Sequence, residues 1–156
     1  MTARFRISLD DLTPNNLGVL RRINSVVLPT TYSDTWYKDS LKVGELAKLA
    51  FFDEVPVGAI RCSLETGKDK NKIYIMTLAV LSAYRGYGIG KQLVEHIIKY
   101  AKTTSVKEIY CHVWVGNEEA MAWYERVGFT KCELVAGYYR KMDPAGDAYI
   151  FKKIIE

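Results

Sequence analysis

Alternating apolar and polar residues predict strands in the first half of the chain. Phe5, Ile7 and Leu9 alternate with polar residues, which is the pattern of a half-buried strand. Three longer apolar runs follow, and short polar segments typical of turns separate them. These runs cover residues 46–52, 55–64 and 73–81. Because the connections are short, the pattern favours an antiparallel meander of consecutive strands.

Two helices are predicted between the first strand and this meander. Thr13 is a suitable N-cap and Pro14 a suitable first helical residue, and the apolar residues that follow recur at helical spacing until Pro29. A shorter helix is expected over residues 34–43, where Gly44 stops it. The first half therefore contains one strand, two helices and three further strands.

The second half of the chain alternates between helices and strands. Apolar residues at helical spacing predict a helix over residues 89–102, and an apolar run predicts a strand over 109–115. A further helix is expected over 118–127, with Asn117 as its N-cap and Gly128 at its end. Two more strands are predicted at residues 130–135 and 148–153.

The order of these elements predicts the fold class. A strand, a helix and another strand in succession imply that the fourth and fifth strands are parallel. We therefore expect an α/β protein with a mixed central sheet of about seven strands, antiparallel in its N-terminal part, and about four flanking helices. A chain of 156 residues without an internal repeat or a low-complexity segment fits a single domain over residues 1–156.

Composition and charge indicate the cellular compartment of the protein and the class of ligand that it binds. The three cysteines, Cys62, Cys111 and Cys132, are far apart in apolar stretches, so neither a disulfide framework nor a metal site is suggested. No signal peptide or membrane-spanning run is apparent, and a cytoplasmic protein is expected. The net charge of +4 comes from scattered residues, which suits an anionic ligand better than nucleic acid.

The candidate chemistry lies in the loop of residues 85–90, between the fourth strand and the third helix. Its glycines let the backbone approach a ligand closely, and the N-terminus of the following helix favours a phosphate. Arg85 and Lys91 add charged hydrogen-bond donors. A plain tight turn explains the glycines equally well. A dinucleotide fingerprint needs another glycine spacing and a Walker loop needs lysine followed by serine or threonine, so neither is present.

The spacing RxxGxG at residues 85–90 resembles the acetyl-CoA motif of the GCN5-related N-acetyltransferases. Residues 117–129, with the strings NEEA, WY and VGF, are similar to the second signature of that family. The resemblance covers nearly the whole chain and implies acetyl-CoA as cosubstrate, without a metal. The cofactor-binding residues that it implies are Leu78, Val80, Arg85, Gly86, Gly88, Ile89, Gly90, Lys91, Asn117 and Tyr124.

The same resemblance implies two specific roles in catalysis for residues of this set. A backbone N–H between Leu78 and Val80 would stabilise the negative charge that develops on the thioester carbonyl. Tyr124 would lie near the thiol and protonate the leaving thiolate. Alternatively, Tyr124 is an aromatic residue of a helix that serves only in packing.

Several dispersed strings resemble one subgroup of the family, the N-alpha-acetyltransferases that form the catalytic subunit of the NatE activity. They are LP at 28–29, GELAKLA at 44–50, YIMTL at 74–78, YCHV at 110–113 and YY at 138–139. This resemblance implies transfer to the N-terminal amine of a methionine-starting peptide, with Tyr74 and His112 deprotonating the amine through a water. It also implies an amine-binding surface formed by Leu28, Pro29, Tyr32, Met76, Tyr138, Tyr139 and Met142.

The chemistry of Tyr74 and His112 supports this assignment. An α-amine has a pKa of about 7.7–8.0, so it must lose a proton before it attacks a thioester. His112, with an ordinary pKa of about 6.5, can take that proton, and Tyr74 can orient the water. Ordinary core packing is the alternative for both residues, and equally for Leu28, Met76 and Met142.

Some positions depart from the subgroup or fall outside its pattern. Leu28 replaces the usual phenylalanine, and Trp114 replaces a smaller polar residue. The residues before Asn117 also differ from the subgroup, since they are valine and glycine at positions 115–116. These changes leave the Tyr–His pair intact, and we expect them to affect the first-residue pocket and the entrance to the CoA site. His96, in the middle of a helix, is expected to be structural.

Two other functions remain open on the sequence alone. The domain could acetylate internal lysines or small amines. It could instead serve mainly as an acetyl-CoA-binding scaffold within a larger complex. As partners, the resemblance implies a large helical auxiliary subunit and the ribosome, and no nucleic-acid or membrane motif is evident.

Overall fold

The computed structural model describes residues 4–67, 71–139 and 146–156. Within these ranges it contains seven strands and four α-helices. In chain order they are β1 (Ile7–Asp10), α1 (Leu17–Val27), α2 (Asp34–Ser40), β2 (Ala47–Phe52), β3 (Val55–Glu65), β4 (Asn71–Val80), α3 (Ile89–Thr103), β5 (Val106–Trp114), α4 (Glu118–Arg126), β6 (Thr130–Tyr139) and β7 (Gly146–Ile154). Short 3₁₀ turns lie at Gly44–Leu46 and Ser82–Tyr84.

The strands form one mixed sheet with the order β1-β2-β3-β4-β5-β7-β6. Strands β4 and β5 are parallel, and the other strands pair antiparallel. Helix α3 connects the two parallel strands, because parallel neighbours need a crossover that a tight turn cannot provide. The predicted fold class is confirmed, including the antiparallel N-terminal part and the parallel fourth and fifth strands.

One compact unit consists of the described residues up to Ser63 together with Ile75–Tyr100. Its core is built from the apolar faces of α1 and α3 and from strands β2 and β3, where the helical and strand periods bring apolar residues to one side. Its most deeply buried side chains are Leu20, Leu49, Val57, Ile60, Ile89, Leu93, Val94 and Ile97. Burial of each such side chain contributes about 1.5–3 kcal/mol.

The other compact unit consists of the described residues of Leu64–Tyr74 and Ala101–Glu156. Its fully buried side chains include Phe151, Ile73, Val106 and Ile109. Helix α4 packs through Tyr124, whose ring centroid lies 5.3 Å from that of Phe129 and 5.9 Å from that of Phe151. Along β5 the buried residues Cys111 and Val113 alternate with less buried ones. The opposite face of this part of β5 is therefore only partly buried.

The first helix begins later than the sequence predicts. Thr13 and Pro14 precede it, and α1 starts at Leu17 with Asn16 as N-cap. The Asn16 side chain accepts a hydrogen bond from the Thr13 N–H (2.7 Å) and donates one to the Asp11 carbonyl (2.9 Å). These bonds hold a turn in place of a first helical turn, because an asparagine side chain competes for backbone partners. The predicted Thr13 cap is therefore wrong.

The second helix is shorter than predicted. It ends at Ser40, whereas the sequence suggests residue 43. The Leu41 N–H bonds to the Lys38 carbonyl (3.1 Å), three residues back, so the last turn tightens and the α-helix stops. Gly44 follows with φ +58°, a conformation that glycine adopts without strain, and opens a 3₁₀ turn.

Candidate active site

The register of the parallel strands brings Tyr74 and His112 together. Tyr74 of β4 lies opposite Tyr110 of β5, and His112 follows two residues later on the same face of β5. The Tyr74 hydroxyl oxygen is 2.9 Å from Nδ1 of His112, which is hydrogen-bond distance. Both side chains are half-buried. The pair therefore forms a connected unit in which a hydrogen bond joins an imidazole to a phenol.

Tyr138 completes this unit. Its ring stacks on the His112 imidazole with centroids 4.0 Å apart and planes 9° apart, and its hydroxyl lies 2.8 Å from the Tyr74 hydroxyl. The sequence predicts that the sixth strand ends at residue 135, and this boundary is wrong, because β6 extends to Tyr139 and includes both tyrosines. Pairing of Tyr139 with Gly146 of β7 extends the strand this far. Tyr138 thus contacts the Tyr–His pair from a rigid element.

A tyrosine and a glutamate that the sequence analysis missed lie beside the same pair. The Tyr110 hydroxyl donates to Oε1 of Glu65 over 2.6 Å, and the Tyr110 ring centroid is 4.9 Å from that of Tyr74. Nζ of Lys72 lies 5.8 Å from the centre of the Tyr110 ring. Tyr110 could have been found from its two-residue spacing from His112, but Glu65 has no signal in the sequence.

Burial and neighbouring charges fix the protonation of the Tyr–His pair. Burial and the hydrogen bond with Tyr138 raise the pKa of Tyr74 well above its usual value, so Tyr74 stays a neutral phenol. Burial lowers the pKa of His112 below its ordinary value of 6.5, and the Glu65 carboxylate partly offsets this effect. His112 is therefore a neutral imidazole at pH 7 and can accept a proton.

We expect the Glu65 carboxylate to raise the pKa of His112 and so to offset part of the effect of burial. NMR titration of the imidazole should place its midpoint below 6.5 in the wild type, and Glu65→Gln should lower it further, because the favourable charge next to the imidazolium is lost. The chain has two histidines, so His112→Ala assigns the signal. Glu133→Gln, at an exposed site on β6, serves as the control. An unchanged midpoint in Glu65→Gln would contradict the electrostatic link.

The loop before α3 has the geometry of an anion cradle. Gly86 and Gly88 have φ values of +89° and +83°, which other residues rarely adopt. Ile89 is buried and anchors the first turn of α3, while residues 85–88 are exposed. The turn is therefore accessible to solvent at the start of α3, where the first N–H groups of a helix and the positive end of its dipole favour a phosphate.

The two predicted cations of the loop differ in how they are held. Nε of Arg85 donates to the Val80 carbonyl over 3.1 Å, which ties the guanidinium to the carboxyl end of β4. Lys91 is exposed on α3, with its Nζ 4.0 Å from the Glu95 carboxylate. Leu78, at the predicted oxyanion position, is partly buried on β4. Arg85 is thus positioned in advance, and Lys91 can move toward a ligand.

Asn117 and Tyr124 lie on α4. The Asn117 side chain accepts the Ala120 N–H over 3.1 Å, which confirms the predicted N-cap. Tyr124 is buried among aromatic rings, and its hydroxyl shares a hydrogen bond with the Cys111 thiol. Burial raises the pKa of Cys111 to about 12, so this thiol stays protonated. Tyr124 therefore packs in the core of this unit.

Two of the predicted amine-binding residues of the first compact unit, Tyr32 and Met76, contact further side chains. Tyr32 stacks on Trp36 with centroids 4.3 Å apart, and Sδ of Met76 lies 3.4 Å from Nη1 of Arg61. Leu28 is the half-buried C-cap of α1, and Pro29 is exposed. Met142 lies outside the described residues. Trp36 and Arg61 connect Tyr32 with Met76, and the sequence analysis missed both.

Metal ligands, membrane spans and His96 were considered within the described ranges. None of their His, Cys, Asp and Glu side chains gather in groups of three or more that could hold a metal ion. No described helix has the length and apolar character needed to cross a membrane. His96 bonds through Nε2 to the Glu45 carbonyl (2.9 Å), as expected for a structural histidine.

The sheet topology and the glycine-rich loop before α3 define an α/β protein with a turn suited to an anionic ligand, and comparison with known families identifies its class. The model of the Acetyltransferase (GNAT) family matches residues 17–129. The chain belongs to the Acetyltransferase (GNAT) family. The resemblance stated from the sequence is therefore confirmed.

Relatives cover nearly the whole chain. N-alpha-acetyltransferase 50 of Danio rerio is 42% identical over 149 residues, which are 95% of this chain and 88% of that protein. The probable N-acetyltransferase san of Drosophila melanogaster is 39% identical over 153 residues, with 97% and 83% covered. The structure of Arabidopsis thaliana Naa50 in complex with the bisubstrate analogue CoA-Ac-MVNAL aligns with a TM-score of 0.86 at 38% identity, covering 94% of this chain and 97% of that chain.

Proposed function

We propose that this chain transfers the acetyl group of acetyl-CoA to the free α-amine of protein N-termini that begin with methionine. Its class is that of its relatives, the acetyl-CoA-dependent N-alpha-acetyltransferases. The observation that carries the finer proposal is the hydrogen-bonded chain of Tyr138, Tyr74 and His112, with a neutral imidazole at its end. The Arabidopsis neighbour was solved with CoA joined to an acetylated peptide whose first residue is methionine.

In the proposed mechanism His112 is the general base. Acetyl-CoA supplies an activated thioester, and the α-amine must lose a proton to attack it. His112 takes this proton through an intervening water, and Tyr74 orients that water because its raised pKa keeps the phenol intact. The stack of Tyr138 on the imidazole holds the ring in place while it becomes charged.

Residues of the cofactor side bind and polarise the thioester in this proposal. The glycine loop and the N-terminus of α3 hold the pyrophosphate, with Arg85 and Lys91 as charged donors. A backbone N–H between Leu78 and Val80 donates to the carbonyl oxygen as negative charge develops. Asn117 and Tyr124 line the CoA site, and the Tyr124 hydroxyl is the proton donor for the leaving thiolate.

The acceptor side is proposed to combine apolar side chains with hydroxyl groups. Tyr32, Tyr138 and Tyr139 offer hydroxyls to the peptide backbone, and the methionine side chain contacts the apolar residues. Those apolar residues are Leu28, Pro29, Met76 and Met142.

A pair of peptides tests the acceptor. The chain should acetylate a methionine-starting peptide with a free α-amine, and mass spectrometry should place the acetyl group on that amine. The same peptide with a blocked N-terminus and an internal lysine should remain unmodified. Acetylation of the blocked peptide would show a lysine enzyme instead. Acetyl-CoA binding without transfer to any peptide of a diverse library would support the scaffold function.

The wider setting is part of the same proposal. We infer that residues 1–156 act as a single acetyltransferase domain in the cytoplasm. The subgroup resemblance favours a large helical auxiliary subunit and the ribosome as partners. A chain that is 27% identical to this one was solved within the NatC complex, which supports an assembled state for this chain as well.

A further inference from the structure

Four aromatic rings of the first compact unit gather beside the glycine-rich loop that precedes α3. The Tyr87 ring, which belongs to that loop, lies 4.9 Å from the ring of Phe52 on β2 and 5.2 Å from the ring of Phe5, edge-on to both. Phe5 in turn stacks on Phe52 with centroids 5.0 Å apart. Tyr84, from the 3₁₀ turn before the loop, lies 5.3 Å from Phe52. Stacked and edge-to-face rings at these distances attract one another, so the cluster ties the loop to the sheet.

The position of Tyr87 between two glycines makes its contacts important for the loop. Gly86 and Gly88 have φ values of +89° and +83°. A Cβ added at either glycine would meet no atom of the described residues within 4 Å, so the glycines themselves are not packed. Glycine also has more conformational freedom to lose than any other residue. The Tyr87 side chain therefore anchors a stretch of backbone whose glycines provide no packing of their own.

Phe5 is held in place by the turn between β2 and β3. The Arg6 N–H donates to Oδ1 of Asp53 over 3.0 Å, and the Asp53 N–H donates to the Arg6 carbonyl over 2.6 Å. Ile7, at the start of β1, pairs with Phe52 in the sheet. These backbone contacts fix Phe5 beside Phe52. The two phenylalanines therefore form a support for the Tyr87 ring that belongs to the sheet and not to the loop.

Burial in the core does not account for this arrangement. Phe5 and Tyr87 are each 45% exposed, whereas the core side chains of the same compact unit, such as Leu49 and Ile60, are fully buried. A half-exposed ring gains less from the removal of apolar surface from water than a buried one does. The contact between Phe5 and Tyr87 therefore contributes mainly by restricting the loop.

We propose that Phe5 and Phe52 are positioning residues for acetyl-CoA, which clamp the Tyr87 ring and so keep residues 86–88 in the conformation that binds the pyrophosphate. We call Phe5, Phe52 and Tyr87 the aromatic clamp. A loop that is ordered before its ligand arrives loses less conformational entropy on binding, and its affinity is higher for that reason. This inference rests on the proposed function in one respect, namely that residues 85–90 hold the pyrophosphate.

Calorimetric titration with CoA tests the aromatic clamp. Phe5→Ala and Tyr87→Ala should each raise the Kd for CoA about three- to tenfold, the size of effect expected for one aromatic pair, because fewer molecules hold the loop in its binding conformation. Phe5→Tyr and Tyr87→Phe keep the rings and should bind CoA within about twofold of the wild type. Leu134→Ala is the matched control. It truncates a 51% exposed apolar side chain of β6, and it should leave the Kd unchanged.

Two further measurements separate positioning from a general loss of stability. With a methionine-starting peptide, Phe5→Ala should raise the KM for acetyl-CoA in parallel with the Kd, while kcat at saturating acetyl-CoA stays within about twofold, because bound ligand selects the ordered loop. In the CoA-free protein, ¹⁵N relaxation should give the amides of residues 86–88 order parameters of about 0.85, and these should fall toward about 0.6 in Phe5→Ala and Tyr87→Ala. If Phe5→Ala does not fold, Tyr87→Ala, at an exposed position, provides the test.

The outcomes separate this inference from the proposed function. A Kd and loop order parameters that both match the wild type in the alanine variants would overturn the aromatic clamp alone. Weaker CoA binding in Phe5→Tyr and Tyr87→Phe to the same extent as in the alanine variants would also overturn it, since the rings are retained. Order parameters that fall while the Kd stays unchanged would contradict the proposed cofactor loop and this inference together. If no methionine-starting peptide is acetylated, the proposed acceptor is wrong, and CoA binding and relaxation still decide the clamp.

Discussion

Replacement of His112 by alanine should lower kcat/KM for a methionine-starting peptide by about 10²–10⁴-fold, the usual contribution of a positioned general base. The loss follows from the proposed mechanism, in which His112 is the neutral base of the hydrogen-bonded chain with Tyr74 and Tyr138. Tyr74→Phe should lower turnover at least tenfold, since it removes the hydroxyl that bonds both neighbours. Steady-state kinetics at saturating acetyl-CoA measure both effects.

Controls separate catalysis from folding and from cofactor binding. Both variants should bind CoA within about twofold of the wild type by calorimetry, because the loop before α3 lies on other elements. Tyr149→Phe removes a hydroxyl from β7 but keeps the ring that lies 4.6 Å from Nζ of Lys131, and it should leave turnover unchanged. Turnover close to wild type in both His112→Ala and Tyr74→Phe would contradict the roles assigned to the pair.

Much of the fold could be predicted because its signals are local. The apolar period of α3 and the Asn117 cap of α4 depend on neighbouring residues, and both were predicted with boundaries that agree within a few residues. The start of α1 could not be predicted, because Asn16 bonds Thr13 and Asp11 in place of a helical turn. The length of β6 depends on its pairing with β7, which the sequence does not display.

In the candidate site, too, the residues with local signals could be predicted and those that depend on distant contacts could not. The glycine loop was predicted from spacing, since its residues are consecutive in the chain. Tyr74 and His112 came from a family resemblance, and their contact depends on the register of β4 and β5. Glu65 bonds Tyr110 across 45 positions of the chain, and no local pattern indicates such a pair. Arg61 and Trp36 remained hidden for the same reason.

The glycine loop can be tested through its backbone conformation. In the double variant Gly86→Ala and Gly88→Ala, both new side chains would occupy a left-handed conformation that costs roughly 1–2 kcal/mol each. An added Cβ would meet no atom within 4 Å at either position, so the effect comes from strain and not from crowding. Relief of the strain moves the N–H groups that would hold the pyrophosphate. CoA affinity should therefore fall about 30–1000-fold.

Gly18→Ala provides the matched control for this effect. Gly18 lies in α1, its added Cβ would also meet nothing within 4 Å, and its φ is not in the left-handed region. Alanine should therefore stabilise the helix by about 0.5–1 kcal/mol and leave CoA affinity unchanged. Calorimetric CoA titration and thermal unfolding of both variants measure the two quantities. A CoA affinity of the double variant within threefold of wild type would place the cofactor phosphates elsewhere, because strain of this size cannot leave a cradle of backbone N–H groups undisturbed.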